Sequence, residues 1–413
     1  MKEKLQRQAL IVRVALFLLQ VLTTYLIPPY DTSAAEAYPS SGLLLDGITA
    51  IGHGNWDSIY FNHLAQHGYD YENFGAFFPL YPAIIAGLAS LLYLPLQLLM
   101  SYSSCVVLTS ILLNNSLFYV NSLMLFKLSR LFGLSETKSY QAALLYTLNP
   151  ASIFLSVGYT ESLFSFFVIL GLLIREADSQ LYFLCFSLAT GVRSNGLSLA
   201  FFILYDHILN MIKSGNFLIV NFVCMVIQTC ISIAPFFWFQ SHFYKLYCNN
   251  ATNTNGSTWC QNELGISYGY IQSEYWGVGL LNYWQAKQIP NFLLAAPMFI
   301  LVIAIMIDEA ARQFKNFKDL RASYEHTDYS NFTFLLTVCN FQLAGYLHLA
   351  ALTAVGLLTM HVQVVTRFLV ANCPYLFLYC TKFERPMSRI VLCYFVVYCV
   401  AGTVVHSTFY PWT

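Results

Sequence analysis

Long apolar runs separated by short polar segments dominate the pattern along this chain. The first run follows a basic N-terminal segment and extends to about residue 27. The later runs lie near residues 79–99, 104–126, 139–157, 160–174, 182–204, 217–239, 291–307, 334–357, 365–380 and 390–409. Because a helix needs about 20 apolar residues to cross a bilayer, the pattern predicts an all-α polytopic membrane protein with about eleven transmembrane helices.

The composition supports this class. The chain has 413 residues, of which 57% are hydrophobic and 10% charged, whereas a soluble protein carries about 25% charged residues. We find no internal repeat and no polar linker that separates a second soluble domain, so residues 1–413 are predicted to form one integral-membrane domain. The net charge of +0 argues against a nucleic-acid partner.

The charge distribution predicts an orientation. The basic N-terminus belongs on the cytoplasmic side, and the segment 30–78, which contains acidic residues but no Lys or Arg, belongs on the opposite side. Alternating the predicted spans places 240–290 on the same side as 30–78, and 308–331 on the cytoplasmic side. Three cations fall on the non-cytoplasmic side in this alternation, against the positive-inside rule: Lys127, Arg130 and Lys138.

Residues 240–290 hold two cysteines within a polar, Asn- and Thr-rich sequence. Cys248 and Cys260 would form a disulfide in an oxidising compartment, and the sequence leaves their pairing open. Asn250 and Asn255 each begin a sequence of the form Asn-X-Ser/Thr, which is a glycosylation acceptor. Both features favour a non-cytoplasmic location for this segment.

A polar stretch from residue 52 to residue 79 follows the first apolar run. Asn55 is predicted to be the N-cap of a short helix that Gly68 ends. Asp57 then lies in the first turn, where the helix dipole favours the ionised carboxylate. A catalytic role is one interpretation. From composition alone, a carboxylate that only supports the helix start is favoured.

His63 and His67 lie four residues apart and share one face of this helix, as a metal-binding pair would. No further ligand occurs at a suitable spacing, so exposed histidines are favoured and no metal site is predicted.

Three other polar positions lie within or beside apolar runs. Glu161 and Arg193 are costly at membrane depth unless they pair or face a polar cavity, so they indicate either a structural ion pair or the wall of a site. Arg367, which follows His361 and Gln363, is suited to bidentate binding of phosphate. The alternative for Arg367 is a side chain that reaches toward the membrane interface.

The segment from 267 to 291 is rich in Tyr and Trp. Aromatic side chains gather at membrane interfaces, and they also stack on sugar rings, so the segment fits either environment.

Six stretches together resemble one known family. They are WDSIYFNHLAQHGYDYENFGAFFPLYP, LNPASIFLSVGYTESLF, ATGVRSNGL, YGYIQSEYWGVGLLNYWQAKQIPNFLLAAP, HVQVVTRF and the closing PWT. In this order they are similar to the PIG-V family, GPI mannosyltransferase 2, over nearly the whole chain. The resemblance implies an enzyme of the GT-C class in the endoplasmic reticulum membrane. It would add the second mannose, α-1,6-linked, to the glycosylphosphatidylinositol (GPI) precursor from dolichol-phosphate-mannose.

The resemblance also assigns residues. It implies that 30–78 is the first luminal loop, that Asp57 in it is the catalytic carboxylate, and that 240–290 is the second large luminal loop. Beyond what the resemblance assigns, we predict the following substrate-binding residues: Trp56, His53, Glu161, Arg193, Asn195, Gln272, Tyr275, His361, Gln363 and Arg367. No resident cofactor is implied, because dolichol-phosphate-mannose is a substrate. The need for a metal ion or for a small membrane helper subunit stays open.

Two other functions compete with the enzyme. A lipid or glycolipid transporter would also have many spans with buried charges, but it would place polar sites at the midplane of inverted repeats. A non-catalytic subunit of a glycan-assembly complex would need no catalytic carboxylate. Polar and aromatic residues gathered in two loops on one side favour the enzyme.

Overall fold

The computed structural model describes residues 1–30, 43–47, 54–215, 218–248, 258–261, 265–324 and 341–412, and these contain helices and no strand. The helices are α1 Lys2–Leu26, α2 Asp57–His67, α3 Leu80–Leu96, α4 Tyr102–Leu131, α5 Glu136–Thr147, α6 Glu161–Glu176, α7 Tyr182–Val192, α8 Ala200–Ser214, α9 Ile219–Cys248, α10 Tyr268–Trp276, α11 Ile289–Tyr324, α12 Phe341–Thr359, α13 Val365–Asn372, α14 Tyr375–Cys380 and α15 Arg385–Ser407.

The helix lengths confirm the all-α, multi-span fold class. In the described part of the chain, seven helical segments are long and apolar enough to cross a membrane, namely 2–26, 102–131, 194–214, 219–248, 286–315, 342–359 and 385–407. The helices α3 and α7 are apolar but shorter. A count of eleven spanning helices is therefore not confirmed.

Two sets of contacts define the two ends of the helix bundle. The amino group of Met1 lies 3.1 Å from the carboxylate of Glu136, so α5 begins at the N-terminal end. At the other end, the amide of Tyr30 donates to the carbonyl of Thr408 over 2.9 Å, so the exits of α1 and α15 meet. We call the latter the first-loop end.

The apolar run 79–99 predicted a helix that crosses to the opposite end of the bundle. The helix observed there, α3, does not lead the chain to that end. At its start, the Tyr81 ring packs on Phe61 of α2, with centroids 5.4 Å apart. Beyond its other end, the amide of Ser101 donates to the Asp46 carboxylate over 2.8 Å. Both ends of α3 therefore contact first-loop residues, and hydropathy alone could not indicate this return.

This correction removes the three exceptions to the positive-inside rule. Because the chain is still at the first-loop end at Ser101, α4 carries Lys127 and Arg130 toward the N-terminal end. Lys138 follows Glu136, which contacts Met1. All three cations therefore lie at the same end of the bundle as the basic N-terminus.

Two other predicted boundaries also change. The segment 308–331 is not a loop in its described part, because α11 continues through Arg312 to Tyr324. The run 365–380 is two helices, α13 and α14, because Pro374 lacks the N–H that a continuous helix would need.

The segment 240–290 is helical where α9 continues to Cys248 and again in α10, which begins at Tyr268. Cys248 and Cys260 form a disulfide. A separate buried hydrophobic cluster, mostly aromatic, fixes this segment on the first loop, and its members are Phe78, Phe236, Phe239, Phe243, Trp259 and Ile271.

Candidate active site

Asp57 begins α2 at the first-loop end. The residue before it, Trp56, occupies the N-cap position with φ of 55°, a left-handed conformation that is unusual for a bulky side chain. The Trp56 ring stacks on Phe409, with centroids 4.8 Å apart, and this contact fixes the helix start. The predicted N-cap at Asn55 is wrong. The side-chain amide of Asn55 donates a hydrogen bond to the carbonyl of His406 over 3.1 Å instead. The predicted end of the helix at Gly68 is confirmed.

The Asp57 carboxylate forms an ion pair with Arg367. The distance from Oδ2 of Asp57 to Nη1 of Arg367 is 2.8 Å, and the Asp57 side chain keeps 33% of its surface exposed. The backbone N–H of Asp57 donates to the Tyr159 hydroxyl over 3.1 Å. Oδ1 of Asp57 has no hydrogen-bond partner among the described residues. One carboxylate oxygen is thus held, and the other is available to a ligand.

Glu161 and Arg193 form the expected pair. Oε1 of Glu161 lies 2.5 Å from Nη1 of Arg193 and 3.9 Å from Nη1 of Arg367. Nη1 of Arg193 also donates to the Thr160 hydroxyl over 2.8 Å. Glu161 is buried, so its charge would be costly without these cations. The four side chains Asp57, Arg367, Glu161 and Arg193 form one cluster of alternating charge, which we call the charged cluster.

The surroundings fix the protonation states of two members of the site. Burial acts to lower the pKa of Arg367, but the carboxylates of Asp57 and Glu161 outweigh it, so its pKa is raised and the guanidinium stays charged. Burial, and then the Asp57 carboxylate, raise the pKa of Tyr159. Tyr159 therefore stays neutral.

Sequence reasoning missed Arg13. This buried residue of α1 donates to the carbonyl of Ser152 over 3.2 Å and to the Ser152 hydroxyl, and its guanidinium carbon lies 3.4 Å from the Phe118 ring centroid. Ser152 begins a short turn that includes Phe154, whose ring lies 5.1 Å from the Arg367 guanidinium carbon. Arg13 thus holds the turn whose Phe154 ring contacts Arg367 of the charged cluster. The signal was an Arg inside the first apolar run.

Three other predicted residues present polar atoms that are buried and have no hydrogen-bond partner in the described part of the chain. These atoms are Nε1 of Trp56, Nδ2 of Asn195 and Oε1 of Gln363. Asn195 lies two residues after Arg193 in the sequence. Gln363 lies four residues before Arg367. Buried polar atoms normally find partners, so these three are candidates for contacts with a bound substrate.

The remaining predicted residues contact other groups. The Tyr275 hydroxyl donates to the Glu72 carboxylate over 2.8 Å, and His361 lies 2.7 Å from the carbonyl of Trp276. The amide of Val278 donates to the carbonyl of Gln272. The contacts of Tyr275 and His361 attach α10 to the first loop and to the segment before α13, whereas the bond between Val278 and Gln272 lies within the end of α10. His53 lies outside the described residues.

His63 of the histidine pair lies 3.3 Å from the Asp70 carboxylate. Within the described ranges, no group of three His, Cys, Asp or Glu side chains is placed to hold a metal ion.

Comparison with known proteins adds to this geometry. The family model described as Mannosyltransferase (PIG-V) matches residues 1–413. The chain is 30% identical to GPI alpha-1,6-mannosyltransferase 2 of Mus musculus, with 100% of this chain and 99% of that protein covered. It is 29% identical to GPI mannosyltransferase 2 of Drosophila pseudoobscura pseudoobscura, with 100% of both covered.

Among solved structures, the fold is similar to the Archaeoglobus fulgidus oligosaccharyltransferase in the apo form. The TM-score is 0.46 at 10% sequence identity, with 98% of this chain and 56% of that chain covered.

The helical bundle and the full-length family match define a membrane-embedded glycosyltransferase. The chain belongs to the mannosyltransferase (PIG-V) family. The resemblance stated from the sequence motifs is confirmed.

Proposed function

We propose that this protein transfers mannose from dolichol-phosphate-mannose to the GPI precursor and forms the second, α-1,6-linked mannose. The names of its full-length relatives support the acceptor and the linkage. The observation that supports the chemistry is the Asp57 carboxylate, partly exposed and held by Arg367 at 2.8 Å. A single oriented carboxylate at the first-loop end is what an inverting transfer requires.

The donor mannose is β-linked to phosphate and the product is α-linked, so the reaction inverts the anomeric carbon. The 6-hydroxyl of the acceptor's first mannose attacks that carbon from the face opposite the phosphate. The new C–O bond forms as the bond to the phosphate oxygen breaks, and dolichyl phosphate leaves. Oδ1 of Asp57 accepts the proton of the attacking hydroxyl, as a general base.

Arg367 has two roles in this mechanism. Its contact with Oδ2 holds the Asp57 carboxylate in one orientation, and its other N–H groups bind the phosphate on which negative charge develops. Nε of Arg367 is buried without a hydrogen-bond partner in the described residues, and it is suited to that contact. Glu161 and Arg193 keep the guanidinium in place.

The three buried polar atoms of Trp56, Asn195 and Gln363 would bind sugar hydroxyls. Gln272, Tyr275 and His361 lie on or beside α10 and would contact the acceptor glycan at the rim of the site. His53 would orient the acceptor. The chain itself supplies all these groups, and we assign no resident cofactor.

We place the enzyme in the endoplasmic reticulum membrane, with the first-loop end in the lumen. The Cys248–Cys260 disulfide and the cations at the N-terminal end support this orientation. Glycans at Asn250 or Asn255 that an endoglycosidase removes would agree with it. Labelling of cysteines introduced at 250–257 by a reagent confined to the cytosol would contradict it.

The direct test is transfer by the purified protein in detergent. Radiolabelled dolichol-phosphate-mannose and a one-mannose GPI precursor should give a two-mannose product whose new bond an α-1,6-mannosidase cleaves. Repeating the assay with chelator, and with membrane extract added back, shows whether a metal ion or a helper subunit is needed. Donor hydrolysis without transfer would contradict the proposal.

A further inference from the structure

An open cavity of about 620 Å³ lies between the end of α8 and the start of α9, and Gln180 also lines it. Arg193 of the charged cluster precedes α8, whereas the cavity adjoins the last turn of that helix. Because α8 is more than 20 Å long at about 1.5 Å per residue, cavity and cluster lie at opposite ends of the bundle. The volume is typical of ligand pockets, roughly 300–1,000 Å³.

The two walls of the cavity are polar faces of helices that are otherwise apolar. His207, Asn210 and Lys213 lie three residues apart on α8, and Asn221 and Gln228 lie seven apart on α9, so each set shares one face. Polar faces of neighbouring membrane helices normally hydrogen-bond to each other directly. His207 and Gln228 do so, at 3.0 Å. The cavity adjoins this hydrogen-bonded pair.

The lining favours an anion. It offers the ammonium group of Lys213 and several amide groups, and none of its described members is a carboxylate. The neighbouring Asp206 is held by Arg175, with N–O distances of 2.8 and 2.9 Å. An anionic ligand therefore meets donors and a cation, whereas a cationic ligand would meet no opposite charge. Lys is a common partner of phosphate.

The surroundings favour a ligand with an apolar part. Exposed apolar side chains flank the cavity on both helices, including Ile208, Ile219 and Phe222. In a spanning protein such side chains face acyl chains. We propose that the cavity binds a phosphate group supplied by an anionic membrane lipid, whose acyl chains lie along α8 and α9.

The test uses the full-length protein, purified in a neutral detergent and stripped of lipid. Its melting temperature is followed while phosphatidic acid is titrated into the micelles. We expect a saturable rise, because a ligand that binds only the folded state stabilises it. Lys213→Met should weaken the apparent affinity about tenfold, the loss of one charge-assisted contact. Lys138→Met, the same change at an exposed lysine of the same end, should bind as the wild type does.

Two other ligands separate the sources of phosphate. A Lys213-dependent rise with inorganic phosphate would support the site and assign it a soluble ligand. Equal rises with phosphatidylcholine and phosphatidic acid, unchanged by Lys213→Met, would overturn the proposal, as would no rise with any ligand. If Lys213→Met protein is not recovered, Asn210→Leu, which removes an amide and narrows the cavity, is used in the same comparison.

Discussion

Asp57 and Arg367 lie 310 residues apart in the chain, and their side chains meet at 2.8 Å. The pair joins α2, the helix within the first loop, to the short helix α13 near the C-terminus. A base that must accept a proton from a hydroxyl group needs one oriented carboxylate oxygen, and an ion pair through the other oxygen provides that orientation. In the proposed mechanism the same cation also binds the leaving phosphate.

Arg367→Lys tests the geometry of that pair. Lysine keeps the positive charge but lacks the planar guanidinium with its several fixed N–H donors. It therefore cannot hold Asp57 and phosphate at the same time. We expect kcat to fall roughly ten- to hundredfold, with a higher KM for the donor and normal protein level. Arg312→Lys is the control, because Arg312 pairs with Asp308 on an exposed helix face. An unchanged apparent donor affinity in Arg367→Ala would remove the phosphate role.

Glu161 lies between two cations, which makes the loss of its charge more damaging than the loss of Arg193. Glu161→Gln leaves Arg193 and Arg367 without their shared buried anion, a change that typically costs about 3–5 kcal/mol. Protein level and melting temperature should fall more than in Arg193→Gln.

The charge-swapped variant with Arg at 161 and Glu at 193 should recover part of the stability lost by the single changes, since it restores one pair. Recovery stays incomplete because the new cation at 161 repels Arg367. Full activity in both single variants would show that the pair is dispensable.

Arg13 is predicted to position the site from inside the membrane. Arg13→Met removes the contacts with Ser152 and lets the turn that includes Phe154 shift. Geometry errors of this kind lower kcat, so we expect a decrease of about tenfold or more with little change in KM. Arg7→Met, the same substitution at an exposed position of α1, is the control. Equal activity of the two variants at equal protein level would show that Arg13 has no such role.

The fold class could be predicted from the apolar runs, because in lipid every backbone polar group must be satisfied within a helix. The path of the chain could not. Hydropathy reports how apolar a segment is, not where its ends lie, and the return at α3 depends on the contact between Asp46 and Ser101. The three misplaced cations were the signal that one span had been assigned wrongly.

The site was predictable in part. Glu161 and Arg193 could be paired in advance because neither charge is stable alone at membrane depth. Asp57 and Arg367 were each singled out, but nothing local in the sequence indicated that they touch. Tyr159 was missed for another reason. Its role depends on its hydroxyl, which accepts a hydrogen bond from the backbone N–H of Asp57. That contact needs tertiary structure.

The transfer rate of Asp57→Asn protein decides whether Asp57 is the catalytic base. Asparagine keeps the shape and a hydrogen bond to Arg367 but cannot act as the base. General-base catalysis is worth about a hundred- to ten-thousandfold, so the rate should fall by that range. Expression and donor binding should stay near normal. Asp70→Asn, the same change at an exposed carboxylate beyond the same helix, should keep close to full activity. If Asp57→Asn protein makes the two-mannose product at close to the wild-type rate, Asp57 is not the base and the proposed mechanism is wrong.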